Sequence, residues 1–105
     1  SQLSSEIPVS VKLYENYPNP FNPATKIKFD ITSLALSNTG SSERFVSLKI
    51  FDMLGREVVV LVNAKLSPGT YDFDWNASAF PSGLYFCRLS VDNVLYDVKK
   101  MALTK

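Results

Sequence analysis

The 105-residue sequence contains no histidine and only one cysteine, Cys87. Without histidine, a Ser-His-Asp or Cys-His catalytic arrangement and an imidazole metal site are excluded. A single cysteine excludes an internal disulfide and a cysteine-rich zinc site. No apolar run approaches the roughly 20 residues that a membrane-spanning helix needs, and no signal peptide is visible. If the protein is exported, we expect its signal peptide in a longer precursor.

The sequence also lacks an excess of charge of either sign. Its 11 Lys and Arg residues against 10 Asp and Glu residues give a formal net charge of +1. A domain that binds nucleic acid through its charge needs a basic stripe, which this balance does not favour. Hydrophobic residues make up 46% of the chain and charged residues 20%, as in an ordinary globular domain. We assign residues 9–105 to one domain and residues 1–8, which begin with a mostly polar stretch, to a linker.

Most of the chain alternates apolar and polar residues with the period of two that is typical of strands. No segment sustains a period of 3.6, so we predict no long helix. The facing of the continuous Val/Leu run after Glu57 cannot be assigned, and a slip of phase near Lys99–Lys100 predicts a β-bulge. Seven short strands predict an all-β fold, an Ig-like antiparallel sandwich of two sheets. The predicted strands are Val9–Leu13, Lys26–Ile31, Phe45–Phe51, Glu57–Val62, Thr70–Trp75, Leu84–Val91 and Val94–Leu103.

Turn residues separate these strands. Asp52–Gly55 has the Asp and Gly positions of a type I turn that leads into a glycine bulge. Ser67–Gly69 places Pro before Gly, as a type II turn requires, and Asp92–Asn93 predicts a two-residue turn. The connection at residues 32–43 is long and becomes polar towards its end, which predicts a mobile loop.

A proline-rich segment, Tyr14–Pro23, is the most unusual part of the sequence. Its three prolines fix the backbone φ angles and push the preceding residues towards extended geometry. We therefore predict a rigid, non-helical crossing with Tyr17 and Phe21 as its aromatic anchors.

Carboxylates are the only acid or base groups that suit catalysis here, and no catalytic residue is predicted among them. Asp72 and Asp74 share one strand face and are weak candidates for a metal site with Asp52 or Asn76. We favour a solvated strand face, because calcium usually needs six to eight oxygens from a shaped loop. Cys87 lies in core phase and is interpreted as a small buried apolar group. No enzyme activity, cofactor or metal is therefore predicted.

Two aromatic residues, Phe51 and Phe86, fall in the outward phase of their strands. They predict either a docking patch for a carbohydrate or protein, or a face that a neighbouring domain or loop covers. The sequence leaves both possibilities open.

Five motifs occur in order along the chain. They are NYPNPFNPATKI at Asn16–Ile27, LKIFDMLGREV at Leu48–Val58, PGTY at Pro68–Tyr71, SGLYF at Ser82–Phe86 and KKM at Lys99–Met101. Together they resemble the type A C-terminal sorting domain of the Por, or type IX, secretion system. The resemblance covers roughly residues 13–105.

This resemblance implies a non-enzymatic role in protein export. Such domains follow a cargo domain in an exported bacterial precursor, which reaches the periplasm by a signal peptide. The outer-membrane translocon recognises the folded Ig-like domain, and a sortase-like protease often removes it, near the linker before Leu13 in this sequence. The implied final location is secreted or at the cell surface. By position, the implied recognition residues are Gly83, Tyr85, Lys99, Lys100 and Lys105.

Other functions remain open beside this one. The domain could be a structural or carbohydrate-binding accessory module of a secreted multidomain enzyme. It is also similar to the sandwich of the flagellar hook-capping protein, which shares Asn-Pro and Gly-x-Tyr elements and would imply an assembly role. Neither alternative involves nucleic acid or a transmembrane segment.

Overall fold

A computed structural model describes residues 9–33 and 43–105. The predicted linker, residues 1–8, and most of the predicted mobile loop lie outside the described residues. All seven predicted strands are present, several of them longer than predicted. They are β1 (Val9–Leu13), β2 (Ala24–Ser33), β3 (Arg44–Asp52), β4 (Glu57–Leu66), β5 (Gly69–Asn76), β6 (Gly83–Val91) and β7 (Val94–Leu103). Across the described ranges, no helix has the length and apolar character needed to cross a membrane.

The strands form two antiparallel sheets, which confirms the predicted sandwich. The first sheet has the order β1-β2-β5 and the second the order β4-β3-β6-β7. In constant-type immunoglobulin domains the fourth strand belongs to the first sheet, whereas here β4 pairs with β3 in the second. The second sheet is therefore the larger one, with β4 at one edge and the last strand, β7, at the other.

Inward side chains from both sheets form the core with the predicted alternation. Trp75 of β5 is buried at one end of this core, with its ring centroid 5.4 Å from that of Tyr85 and 5.5 Å from that of Phe21. Cys87 is buried as predicted, and this burial raises the pKa of its thiol to about 12. The inward residues of β2, β3 and β6 are Ile27, Phe29, Ile31, Val46, Leu48, Ile50, Tyr85, Cys87, Leu89 and Val91.

Two irregularities in β4 explain its unbroken Val/Leu run. The register between β3 and β4 shifts twice, which leaves Leu61 and then Val58 as extra residues on β4. Each extra residue reverses the face to which the following side chains point. Val62 is therefore buried while Val60 is exposed, so a strict alternation of apolar and polar residues would not suit this strand.

The bulge that was predicted near Lys99–Lys100 lies elsewhere. The ladder between β6 and β7 shifts register between the pairs Leu89–Asp97 and Ser90–Leu95, so that Tyr96 is the extra residue. The apparent slip of phase arises because Lys99 occupies an inward position opposite a buried residue of β6. An inward lysine is tolerated there because β7 is an edge strand, from which a long side chain reaches water.

The turns agree with two of the three turn predictions. Gly55 has a φ of +82° and its N–H donates to the Asp52 carbonyl at 3.0 Å, as a type I turn with a following glycine bulge requires. Asp92 and Asn93 both have positive φ, at 52° and 67°, which suits a two-residue hairpin. Gly69 has a φ of +158°, far from the roughly +80° of a type II turn, so that prediction was wrong.

The proline-rich segment, residues 14–23, crosses the end of the sandwich and is called the proline strap below. All three of its X–Pro bonds are cis. Phe21 is buried as predicted, but Tyr17 is 81% exposed, so its assignment as an anchor was wrong. Backbone bonds with Lys26 hold Tyr17 in place, and the buried contact is made instead by Asn16, whose Nδ2 donates to Thr25 Oγ1 at 3.0 Å.

Candidate recognition site at the end of β6 and the edge of β7

A cleft of about 270 Å³ opens at one end of the sandwich, between the β3–β4 turn and the segment that leads into β6. Gly83 and Tyr85, two of the predicted recognition residues, belong to its lining. Met53 and Leu54 border the same cleft from the turn and are 65% and 77% exposed. Our sequence analysis missed these two side chains, although large apolar residues at the centre of a tight turn are a visible signal of a contact surface.

Tyr85 supports this cleft from below. It is only 4% exposed, and its hydroxyl donates to the Pro81 carbonyl at 2.6 Å. Burial, and to a lesser degree the nearby Asp52 carboxylate, raises the pKa of the Tyr85 phenol. The arrangement is similar to the tyrosine corner of Ig-like sandwiches. Tyr85 therefore fixes the shape of the cleft, and most of its ring is not available to a partner.

Gly83 begins β6 with a φ of +153°. A Cβ placed on Gly83 would meet no atom within 4 Å. The need for glycine therefore comes from the backbone conformation and not from a lack of space. This conformation directs the chain from the cleft into the ladder with β7, where Gly83 pairs with Leu103.

The β3–β4 turn that forms the other wall is held by Asp52. One carboxylate oxygen accepts the N–H groups of Leu54 and Arg56 at 2.9 Å and 3.0 Å, and the other accepts Arg56 Nε at 2.8 Å. These donors, the Arg56 backbone N–H first among them, lower the pKa of Asp52. Asp52 is therefore held in its own turn. It belongs to the second sheet, whereas Asp72 and Asp74 belong to the first.

Lys105 joins Gly83 and Tyr85 at this end of the molecule. Its backbone N–H donates to Ser82 Oγ at 3.1 Å, and its Nζ donates to the Ser78 carbonyl at 2.7 Å. The end of β7 and the loop before β6 are thereby tied together. Three of the five predicted recognition residues consequently lie close to one another.

The other two predicted residues lie further along β7 and point to opposite faces of the sheet. Lys99 pairs with the buried Cys87 and has its Nζ 3.9 Å from Asp97. Lys100 pairs with Phe86 and is exposed on the outer face. The three lysines therefore do not form one basic patch.

The proline strap covers part of the edge of β7. Asn19 Nδ2 donates to the Lys100 carbonyl at 3.2 Å, and its Oδ1 accepts the Ala102 N–H at 3.1 Å. Phe21 continues the contact, donating its N–H to the Ala102 carbonyl at 2.9 Å and accepting the Thr104 N–H at 3.0 Å. Within the described ranges no strand forms a ladder with the outer edge of residues 94–99, although β1 approaches β7 from the other sheet.

The outer face of the second sheet carries the two aromatics that were predicted to point outward. Phe51 and Phe86 form a cross-strand pair and are partly exposed. The Arg88 guanidinium lies over the Phe51 ring, 5.0 Å from its centroid. These residues line a second cleft, of about 390 Å³, which Leu95 and Val98 border from β7.

The weak metal candidates are arranged around a lysine. Lys26 Nζ lies 4.0 Å from an oxygen of Asp72 and 3.6 Å from an oxygen of Asp74. Asn76 Oδ1 accepts the N–H of Ser78 at 2.9 Å. Among the residues that the structure describes, no group of three or more Cys, Asp or Glu side chains is placed to hold a metal ion.

Comparison with solved structures supports the fold. The chain superposes on a mutant β-glucosidase from Listeria innocua in complex with laminaribiose at a TM-score of 0.69, with 14% identity over 97% of this chain and 17% of that one. An alkylpurine DNA glycosylase from Pseudomonas fluorescens, bound to DNA with an abasic site analog, superposes at a TM-score of 0.64. The identity is 14%, over 90% of this chain and 30% of the glycosylase. A CARDB domain from Pyrococcus furiosus in complex with di-metal ions superposes at a TM-score of 0.57. The identity is 16%, over 99% of this chain and 93% of the CARDB domain. These identities show the fold alone, and the chain spans only a small part of the first two proteins.

A family comparison identifies the chain itself. No curated protein matches the sequence. The profile of the secretion system C-terminal sorting domains, the Por secretion tail, matches residues 15–104. The match extends from the proline strap to the end of β7 and confirms the resemblance seen in the five motifs. The chain therefore belongs to the family of type IX secretion system C-terminal sorting domains.

Proposed function

We propose that this domain is a non-enzymatic export signal that the outer-membrane type IX translocon recognises in its folded form. The observation that carries the proposal is the family match, which spans residues 15–104 and therefore six complete strands of the sandwich. A linear peptide signal would need only a short segment. A signal that extends over two sheets suggests that their assembled surface is the feature being recognised.

The position of the proposed recognition residues supports this reading. Gly83, Tyr85 and Lys105 lie at the end where β6 begins and β7 ends, beside the cleft of about 270 Å³. Lys99 and Lys100 lie on the edge strand that leads to this end. An edge strand offers backbone groups to a partner, and neighbouring side chains supply specificity. In this proposal Gly83 and Tyr85 maintain the shape of the end, while Lys100 and Lys105 contact the translocon.

The remaining steps follow from the family and are also part of the proposal. A cargo domain precedes the linker at residues 1–8, and a sortase-like protease cuts near that linker after transport. The cargo is then secreted or stays at the cell surface. The sorting domain contributes no catalysis to any of these steps.

The test is delivery of a periplasmic reporter, fused before residue 1, to the surface of a bacterium with a type IX system. Deleting residues 101–105 would remove the buried Met101 and Leu103 and would thus confuse recognition with folding. We therefore choose the double variant Lys100→Glu with Lys105→Glu, and we first check that its Tm is unchanged, because Lys105 Nζ donates to the Ser78 carbonyl. Lys65→Glu, on the exposed far edge of the sheet, is the control for a charge reversal. We expect the double variant to lower surface reporter at least tenfold and the control to leave it unchanged. Equal delivery of both variants would defeat the proposal.

A carbohydrate-binding role is less well supported by the outer face of the second sheet. Sugars stack on open aromatic faces, whereas the Arg88 guanidinium lies over the Phe51 ring at 5.0 Å. A pull-down of the domain with insoluble glycans separates the two functions. Strong retention that is lost in Phe86→Ala would favour the accessory-domain alternative.

A further inference from the structure

The two outer faces of the sandwich differ in charge. On the first sheet, lysines and aspartates balance each other, and Lys26 Nζ lies between Asp72 and Asp74 at 4.0 Å and 3.6 Å. On the second sheet, the residues that alternate with the buried ones include four cations and one carboxylate. They are Lys49, Lys65, Arg88 and Lys100 against Glu57. Because the whole chain has a net charge of only +1, its positive charge is concentrated on this face.

A third cleft, of about 250 Å³, opens on this positive face. Polar side chains form most of its lining, and both of its charged residues are cations. The polar lining consists of Ser47, Lys49, Asn63, Arg88, Ser90 and Asn93. A concave surface with two cations and no carboxylate in its lining favours an anionic ligand.

The two cations of the third cleft face each other across neighbouring strands, because Lys49 of β3 pairs with Arg88 of β6. Like charges in this position destabilise a sheet. Lys49 is partly compensated, since its Nζ lies 3.3 Å from Glu57 Oε1. The exposed Arg88 guanidinium contacts the Phe51 ring, but within the described ranges no carboxylate lies at ion-pair distance from it and no group accepts its hydrogen bonds. The pair therefore retains a positive charge that an anion from outside would neutralise.

A row of uncharged donors lies beside this pair of cations. Ser47, two residues before Lys49 on the same face, pairs with Ser90 on one side and with Asn63 on the other. In the part of the chain that the structure describes, the side chains of this row form no hydrogen bond. Residues two apart on a strand are separated by about 6.5 Å, so one small ligand can contact both rows. The cleft thus combines two cations with unused hydroxyl and amide donors.

We propose that the third cleft binds the phosphate group of a phosphate monoester. Arg88 binds two of the terminal oxygens through its planar fork, and Lys49 supplies the second positive charge. The Ser47 and Ser90 hydroxyls donate to the remaining oxygen. A phosphate monoester has three terminal oxygens and a charge of about −1.5 to −2 at neutral pH, which suits two cations and a row of donors. A carboxylate, with two oxygens and one charge, would leave the row of donors unused.

The phosphate monoester can belong to a lipid headgroup or to a soluble molecule such as a sugar phosphate. Both sources present the same terminal oxygens to the cleft, so the experiments below distinguish them. The site does not depend on the proposed export function, because neither Lys49 nor Arg88 is among the proposed recognition residues.

The first experiment tests binding by the whole 105-residue chain. Methyl phosphate is titrated into the ¹⁵N-labelled protein at an ionic strength of about 0.15 M, at which charges more than about 8 Å apart are largely screened. Acetate, titrated in the same way, is the control ligand. We expect amide shifts that centre on the residues of the third cleft, and at least tenfold weaker binding of acetate.

Matched substitutions test the roles of the two cations. Arg88→Gln should weaken methyl phosphate binding at least tenfold, as the loss of a charged hydrogen bond implies. Lys49→Gln is the second variant, in case loss of the Arg88 contact with Phe51 disturbs the sheet. Lys65→Gln removes the same charge from the same face outside the cleft and should change the affinity less than twofold. No binding, equal affinity for the two anions, equal effects of the three folded variants, or shifts centred on the first sheet would overturn the inference.

The second experiment identifies the source of the phosphate. The chain is floated with phosphatidylcholine vesicles that contain phosphatidic acid, and with vesicles of phosphatidylcholine alone. Binding to the phosphatidic acid vesicles that Arg88→Gln abolishes would support the site and assign it to a lipid headgroup. Binding of methyl phosphate without binding of vesicles would support the site and assign it to a soluble ester. Vesicle binding that Arg88→Gln and Lys65→Gln reduce equally would show general attraction to a charged surface and would overturn the cleft as a specific site.

Discussion

Trp75→Ala tests whether export depends on the folded state. The Trp75 ring is 4% exposed and has three aromatic neighbours, Phe21, Phe80 and Tyr85, at centroid distances between 5.4 Å and 5.6 Å. It therefore joins the proline strap, the loop before β6 and β6 itself. Two of these neighbours, Phe80 and Tyr85, also line the cleft of about 270 Å³, so only a loss of delivery that follows the unfolded fraction reports on the fold.

The magnitude follows from the burial of the indole. Replacing a buried Trp or Phe by Ala costs about 3–5 kcal/mol, because the lost transfer energy is added to the cost of a cavity. A domain of this kind unfolds with a free energy of roughly 5–15 kcal/mol. At the lower end of that range, about 0–2 kcal/mol would remain. Since about 1.4 kcal/mol changes an equilibrium tenfold, between a few per cent and half of the molecules would then be unfolded.

The assay combines urea unfolding of the purified chain with surface delivery of the reporter fusion. Tyr17→Ala is the matched control, because Tyr17 is an aromatic residue with 81% exposure and its loss should cost less than about 0.5 kcal/mol. We expect delivery to fall in proportion to the unfolded fraction for Trp75→Ala and to stay normal for Tyr17→Ala. Normal delivery of a Trp75→Ala protein that urea titration shows to be unfolded would refute the reasoning.

Four further predictions each concern a single residue. Gly83→Ala should destabilise the domain by about 1–3 kcal/mol, since its φ of +153° strains any other residue, and no fall in Tm would contradict this. Asn19→Ala removes both side-chain hydrogen bonds to β7, so we expect a loss of about 1–3 kcal/mol and faster amide exchange near the end of that strand, while unchanged exchange would count against it. Cys87 should resist thiol reagents at pH 8 until the protein unfolds, because burial holds its pKa at about 12; rapid labelling of the native protein would show otherwise. A hydrogen bond from the Tyr14 hydroxyl is the main cause of the lowered folded-state pKa of Asp30. The ionised Asp30 therefore stabilises the fold fully at a pH above the ordinary carboxyl pKa, and this contribution is lost as the pH falls through the lowered pKa. Asp30→Asn should therefore flatten the acid side of the stability curve, and an unchanged curve would exclude this linkage.

The strands of the core were readable from the sequence because their burial follows a local rule. Side chains alternate between the two faces of a strand, so the apolar positions of β2, β3 and β6 predicted which residues lie inside. The turn at Asp52 and the hairpin at Asp92 were equally local, since they depend on residues that tolerate particular φ angles. Where the rule is interrupted, as by the two extra residues of β4, the sequence could not assign a face.

The candidate site was only partly predictable. The outward phase of Phe51 and Phe86 and the inward phase of Cys87 were correctly read. The grouping of Gly83 with Lys105 rested on family likeness. Their proximity depends on the pairing of Gly83 with Leu103 and on the hydrogen bond from the Lys105 N–H to Ser82, which join residues distant in sequence. Arg88, by contrast, looked like an ordinary polar residue of an alternating strand. Its place in the second cleft came from Leu95 and Val98, which the neighbouring strand places beside it.

The sequence by itself determined the class of fold, the number of strands and the family, because alternation, turn chemistry and motif order are all encoded over short distances. Only the tertiary structure decided that the proline strap closes one half of the last strand's edge and leaves the other half open. That outcome depends on hydrogen bonds between Asn19 and backbone groups more than 80 positions away. A contact of this kind leaves no periodic trace in the sequence, since an asparagine that bonds to a distant strand looks the same as one that forms a local turn.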